Sequence, residues 1–250
     1  MWVAPRDKKK GHKPANYLYT YAFLYNPRQA ELHGNLKTKT MKQHPTAILQ
    51  AAGLTFHYPE RELFSSWSAE ITAGVTLVRG GDGRGKSSLL RLLAGDLAAQ
   101  GGQLHLNGVS LEAQPDLYRR QVFWVDPRSE AFDQMTARGY FASLHAAYPG
   151  FDDALLPGLA EGLSLTPHLD KKLFMLSTGS KRKVWLAAAF AAGARLNLLD
   201  DPFAGLDKAS INFVVKTLNQ AAANPAQAWV IALYEAPEGV PLATLIELGD

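Results

Sequence analysis

Cysteine is absent from the 250-residue sequence. That removes a disulfide framework, a thiolate metal site and a cysteine nucleophile. No run of 18 or more apolar residues exists either. The longest, VWLAAAFAAGA at 184–194, is Ala-rich and too short to cross a bilayer as a helix. Any membrane role is therefore expected to come through a partner. Internal repeats and low-complexity tracts are also missing. Charge of either sign is nearly balanced overall, at +3, but unevenly placed. Residues 1–45 hold 9 Lys/Arg against 2 Asp/Glu, and the remainder holds 17 against 21. The basic character belongs to the N-terminal segment, so it does not by itself point to a nucleic-acid partner.

With 47% apolar residues, the chain can bury one sizeable core, or one domain with a subdomain. Residues 1–45 read as a separate basic extension, with RDKKKGHKP, a Tyr-rich NYLYTYAFLYNP and a polar HGNLKTKTMKQHP. Three readings of it stand: a disordered tail, a membrane-surface or partner-binding arm, or a translation start at Met41 that leaves the first 40 residues unmade. It lacks the apolar core and cleavage site of a signal peptide.

Organised structure is expected over 46–250. AILQAAGLTFHY, ELFSSWSAEITAG and VTLVRG read as strands, and GKSSLLRLLAG switches to helical period with Leu89, Leu92 and Leu93 on one face. GQLHLNGVSL reads as a strand, an Asn-Gly turn and a short strand. Residues 130–175 read as mostly helical. A helix over 181–192, a strand over 196–199, a helix over 209–223 and strands at 229–233 and ATLIEL follow. Strand–helix alternation at both ends argues an α/β fold with a parallel sheet, and the helical middle argues an inserted subdomain.

GGDGRGKS at 80–87 fits the phosphate-loop pattern G-x-x-x-x-G-K-[ST]. Glycines let backbone N–H groups approach phosphates closely, and the following helix adds its N-terminal dipole. Gly80, Gly81, Asp82, Gly83, Arg84, Gly85, Lys86, Ser87 and Ser88 are the candidate nucleotide-binding residues. Lys86 is expected to bridge the β- and γ-phosphates, and Ser87 to ligate Mg²⁺. A chance Gly-rich turn would not be framed by a β-branched strand and an amphipathic helix. LNLLD at 196–200 ends an apolar strand on Asp200, a candidate for the same metal. LSTG at 176–179 opens the next helix, and its Ser177 is either an ordinary N-cap or part of an anion site.

These motifs together resemble the ATPase subunits of ATP-binding cassette (ABC) transporters. The resemblance covers about 47–250: GGDGRGKSSLLRLLAG is similar to the family's phosphate loop, LSTGSKRK to its LSGGQ signature, LLDDP to its magnesium strand and FAGLD to the loop after it. Ser177 precedes Asp200 by 23 residues, which agrees with the family spacing. The resemblance implies a P-loop NTPase core with a parallel sheet, an antiparallel β subdomain and a helical subdomain at roughly 127–180. It also implies ATP and Mg²⁺, and a head-to-tail homodimer or heterodimer with another cassette. Tyr58 would stack on adenine, unless it is a plain strand tyrosine. Ser177 and Gly179 would touch the γ-phosphate held by the other subunit, and Asp207 would sit at the dimer seam. YPGFDDALLPGLAEGLSL is similar to export-type bacterial cassettes. Transmembrane permease subunits are the implied partners, and the location is the cytoplasmic side of the inner membrane.

Three positions depart from the family pattern. The residue after Asp200 is usually Glu, which polarises the attacking water; here Asp201 is shorter by about 1.5 Å. The strand WVIAL usually ends in a His at the γ-phosphate; here Tyr234 can donate a hydrogen bond but carries no charge near neutral pH. In VFWVDPRSE the expected Gln is missing, and Asp126 is the nearest polar group able to take over a metal contact. The leading expectation is a transport ATPase with hydrolysis weakened at Asp201 and Tyr234. The alternatives are an ATP-binding regulatory subunit with little turnover, and a cassette ATPase unconnected with transport. No direct nucleic-acid contact is expected.

Overall fold

The computed structural model describes residues 46–249, so every reading placed on residues 1–45 lies outside the described part. The elements run β1 (Leu49–Tyr58), β2 (Arg61–Ile71), β3 (Gly74–Arg79), α1 (Lys86–Ala94), β4 (Gly101–Leu106) and β5 (Val109–Ser110). Then come α2 (Pro115–Arg119), β6 (Val122–Trp124), α3 (Ala137–Leu144) and α4 (Leu156–Gly162). The chain closes with α5 (Thr178–Ala191), β7 (Leu196–Asp200), α6 (Lys208–Ala222), β8 (Ala228–Leu233) and β9 (Leu242–Glu247).

Two sheets result. An antiparallel sheet has the order β2-β1-β4-β5, and a parallel sheet has the order β6-β7-β8-β3-β9. Strands β3, β7 and β8 are short, largely apolar and buried on both faces, as crossover connections require, whereas the edge strand β9 is mostly exposed. Alternate residues divide between two cores with a period of 2. Val75, Leu77, Trp229, Ile231 and Leu199 pack towards the helical layer of α3, α4 and α5. Val78, Val230, Ala232, Leu196 and Leu198 pack with α1 and the antiparallel sheet. The α/β class, the parallel core sheet, the antiparallel subdomain and the helical segment agree with the sequence reading.

Details differ. The middle segment contains two short helices, α3 and α4, and 3₁₀ turns at Asp153–Leu155, Thr166–His168 and Leu173–Met175. Pro149, Pro157 and Pro167 break it up, because proline lacks an amide and restricts the residue before it. Helix α5 starts at Thr178, earlier than expected, because the Ser177 side chain accepts a hydrogen bond from the Ser180 amide at 3.1 Å. Strand β6 and helix α2 are too short for a hydrophobic period to reveal. β6 exists because it pairs with β7, Phe123 lying opposite Asn197.

Sheet register positions the site. Val78 of β3 and Asp200 of β7 both pair with Ala232 of β8. The loop after β3 and the carboxylates after β7 therefore emerge at one height, at the C-terminal edge of the parallel sheet, where open α/β sheets bind ligands.

Candidate functional site

A cleft of about 620 Å³ opens at that edge, bounded by the β1–β2 turn, the loop into α1, the end of β7 and the end of β8. The loop into α1 is held by its own backbone. Gly85, the N-cap of α1, has φ 97°, in the left-handed region, and its side of the loop faces Leu63 and Phe64 so closely that a Cβ would sit 3.2 Å from Leu63. No side chain caps α1 at this end, so its first amides remain available to an anion. Helix α1 is anchored by Leu89, Leu90, Leu92 and Leu93, all buried. Lys86 Nζ donates to the carbonyls of Gly80 at 2.6 Å and Gly81 at 2.9 Å, folding over the loop.

At the centre, Ser87 Oγ donates to Asp200 Oδ2 at 2.5 Å. This hydroxyl and carboxylate are hard oxygen donors side by side, the donor set Mg²⁺ prefers, so the residues fit the ion the fold family implies. Burial, the largest influence, raises the Asp200 carboxyl above the usual range; Ser87 opposes that shift and the neighbouring Asp201 charge adds to it. Arg128, across the cleft, favours the charged form. Asp201 is exposed, and its backbone takes φ 47°, a left-handed conformation Asp tolerates better than most residues. Its amide donates to Ala232 O at 3.0 Å, which ties it to β8.

The expected residues divide into three groups. Tyr58, Asp82, Gly83, Gly85, Lys86, Ser87, Ser88, Asp200, Asp201 and Tyr234 all line the cleft. Tyr58 is 41% exposed, with its hydroxyl 3.2 Å from Ser88 Oγ and its ring edge-on to Phe56. Tyr234 is 64% exposed at the cleft mouth. Gly80, Gly81 and Arg84 belong to the loop but do not form the wall. Asp126 does not form it either: its carboxylate accepts the Arg128 amide at 2.9 Å, and Pro127 and Arg128 take the wall position instead.

Ser177 and Gly179 lie away from this chain's cleft, at the start of α5. Gly179 has a local reason to be glycine: a Cβ there would lie 2.2 Å from the Gly205 carbonyl. Arg182 Nη1 donates to Ala204 O at 2.6 Å, and Lys183 Nζ to Asp207 Oδ2 at 2.7 Å. Helix α5 is thus fastened along the loop that follows Asp201. Asp207 also caps α6, accepting from the Ser210 amide at 2.8 Å and the Ser210 hydroxyl at 3.0 Å. Lys183, then the Ser210 groups, hold the Asp207 carboxyl well below the ordinary carboxylate range.

Arg61, Leu63, Arg128 and Arg182 line the cleft without having been expected there. Arg128 and Arg182 were visible only as members of the PRSE and SKRK runs. Arg61 and Leu63 belong to β2 beside Tyr58, and no motif marks them.

The ABC transporter family model matches residues 65–204. The chain is 34% identical to cytochrome c biogenesis ATP-binding export protein CcmA 2 of Salmonella paratyphi A over 187 residues, covering 74% of this chain and 88% of that protein. It is 35% identical to cytochrome c biogenesis ATP-binding export protein CcmA of Pseudomonas savastanoi over 168 residues, covering 66% and 78%. Among solved structures, the ATP-binding subunit of an ABC transporter superposes with TM-score 0.67 at 24% identity, covering 74% of this chain and 79% of that one. A putative ABC transporter ATP-binding protein from Pyrococcus furiosus gives 0.66 at 21%, covering 80% and 96%. These two structures share the fold.

Two outcomes are expected. Gly179→Ala should lower stability by about 1–3 kcal/mol, because backbone rather than a movable side chain blocks the methyl; an unchanged urea midpoint would refute the tight approach of α5 to Gly205. Asp207→Asn keeps a capping side chain but loses the charge. A depressed carboxyl stabilises the fold above the unfolded Asp value of about 3.9, and that contribution fades as pH falls through the lower folded value. Wild type should therefore exceed Asp207→Asn in stability at pH 6, with the gap narrowing below about pH 4. Urea titrations at several pH values check this, and a gap constant down to pH 2.5 would count against the Lys183 pair.

Proposed function

The chain belongs to the ABC transporter family as an ATP-binding subunit, and from that membership we propose that it binds Mg·ATP in the cleft and hydrolyses it slowly to drive export through separate membrane subunits. The observation that carries this reading is the meeting of Lys86, the Ser87–Asp200 pair and Asp201 in one cleft. Lys86 and the first amides of α1 hold the phosphates, and Tyr58 offers its exposed ring to the adenine. Ser87 and Asp200 would hold Mg²⁺, which neutralises phosphate charge when bound. Asp201 orients the attacking water.

Slow turnover follows from Asp201 and Tyr234. Catalysis of phosphoryl transfer is mostly positioning and electrostatics, and a misplacement of about 1 Å can cost on the order of 100-fold. Tyr234 stands at the cleft mouth with a donor but no charge. A second reading, an ATP-binding switch with almost no turnover, draws on the same two residues.

Ser177 and Gly179 sit outside their own cleft, which supports a role at the nucleotide of another cassette in a head-to-tail dimer. Among the described residues no helix is long and apolar enough to cross a membrane, in keeping with attachment at the cytoplasmic face through permease subunits. The relatives' names tie those proteins to export in cytochrome c biogenesis, and we extend the export direction to this chain.

Asp201→Glu restores reach and should raise kcat roughly ten- to a hundred-fold. It should also lower stability by about 1 kcal/mol, because Glu tolerates the left-handed backbone less well. Asp201→Asn should abolish hydrolysis while ATP binding persists. Phosphate release and thermal denaturation measure the two effects. Wild-type turnover at an ordinary enzyme rate of about 10 s⁻¹, with no gain in Asp201→Glu, would overturn the slow-hydrolysis reading.

A further inference from the structure

Helix α5 presents two nitrogen donors that the cleft itself does not use. Arg182 fastens Ala204 through Nη1, but its Nε–H is buried with no partner within the chain. Trp185 is 5% exposed, and its indole N–H is likewise buried without a partner. Positions three apart share a helix face. Both residues line one small pocket, open on one side, with about 20 Å³ of room for water. Asp200 forms part of its wall, and the rest includes the apolar Phe123, Val125 and Leu198.

A buried water needs roughly 10–15 Å³ of such space and two to four polar partners. Here the space holds about one water, and three polar side chains border it. We propose that Arg182 and Trp185 are positioning residues for Asp200, acting through a single ordered water that accepts from both N–H groups and donates to the carboxylate. The inference rests on the reading of Asp200 as the magnesium acid. It gives Asp200 a second anchor beside Ser87, which holds Oδ2. The same guanidinium also holds the loop behind Asp201, so Arg182 sets the placement of both carboxylates.

Hydrogen bonds that orient a ligating carboxylate typically change metal affinity by about 10- to 100-fold when lost. The test uses the full chain and a fluorescent N-methylanthraniloyl ATP, titrated without Mg²⁺ and then with increasing Mg²⁺. Trp185→Phe keeps an aromatic ring and removes one donor; Arg182→Met independently removes the other. Trp229→Phe is the control: the Trp229 indole N–H is also buried and unpartnered, but Trp229 does not line this cavity.

In Trp185→Phe, Mg²⁺-free nucleotide affinity should stay within two-fold of wild type, while the Mg²⁺ concentration for half-saturation rises about ten-fold. Arg182→Met should shift the Mg²⁺ midpoint in the same direction. The change in intrinsic tryptophan fluorescence on adding Mg²⁺ should be lost in Trp185→Phe and kept in Trp229→Phe. Wild-type Mg²⁺ midpoints in both Trp185→Phe and Arg182→Met would overturn the proposal, as would an equal shift in Trp229→Phe. If Trp185→Phe does not fold, the Arg182→Met midpoint decides. A wild-type titration in Asp200→Asn would instead overturn the assignment of Asp200 on which the inference rests.

Discussion

The hydrogen bond from Ser87 Oγ to Asp200 Oδ2, 2.5 Å long, is the contact on which the cleft depends. It joins the first turn of α1 to the last residue of β7, across 113 residues of sequence. It can form only because β8 lies between β3 and β7 and holds both in register. A slip of one residue in either pairing would turn the carboxylate to the other face of the sheet. The buried alternation of Val75, Leu77, Trp229 and Ile231 on one side and Val78, Val230 and Ala232 on the other penalises such a slip, because it would exchange two differently filled cores. The geometry of the polar site is thus set by apolar packing beneath it.

A second set of contacts joins the helical layer to the same edge. Gly179 against Gly205, Arg182 to Ala204 and Lys183 to Asp207 link the first turns of α5 to the loop that leaves Asp201. The three differ in kind: a close backbone approach, a hydrogen bond to a carbonyl, and an ion pair that also caps α6. Salt screens the ion pair most and the steric contact least.

Much of this was legible in the sequence. The phosphate loop announces itself because only glycines at 80, 81, 83 and 85 followed by Lys86 and Ser87 meet the demand for close backbone approach. The parallel core follows from short runs such as VTLV and WVIAL, apolar at all but one position. What the sequence could not show depends on pairs distant along the chain. β6 exists only because β7 is beside it. Arg128, rather than Asp126, reaches the cleft because the Asp126 carboxylate turns back to its own loop, a local choice that composition does not reveal. Gly179 was read as a phosphate contact, whereas the structure adds a steric cause, the carbonyl of Gly205.

The left-handed backbone at Asp201 also bears on how the site can evolve. The codons for Asp and Glu differ by a single base, so the longer acid is always one mutation away. Genetic distance therefore does not keep the longer acid out of this position. The constraint is conformational: residue 201, tied to Ala232 through its amide, holds a left-handed backbone that Asp tolerates better than Glu. Side-chain length and backbone shape at this position are coupled.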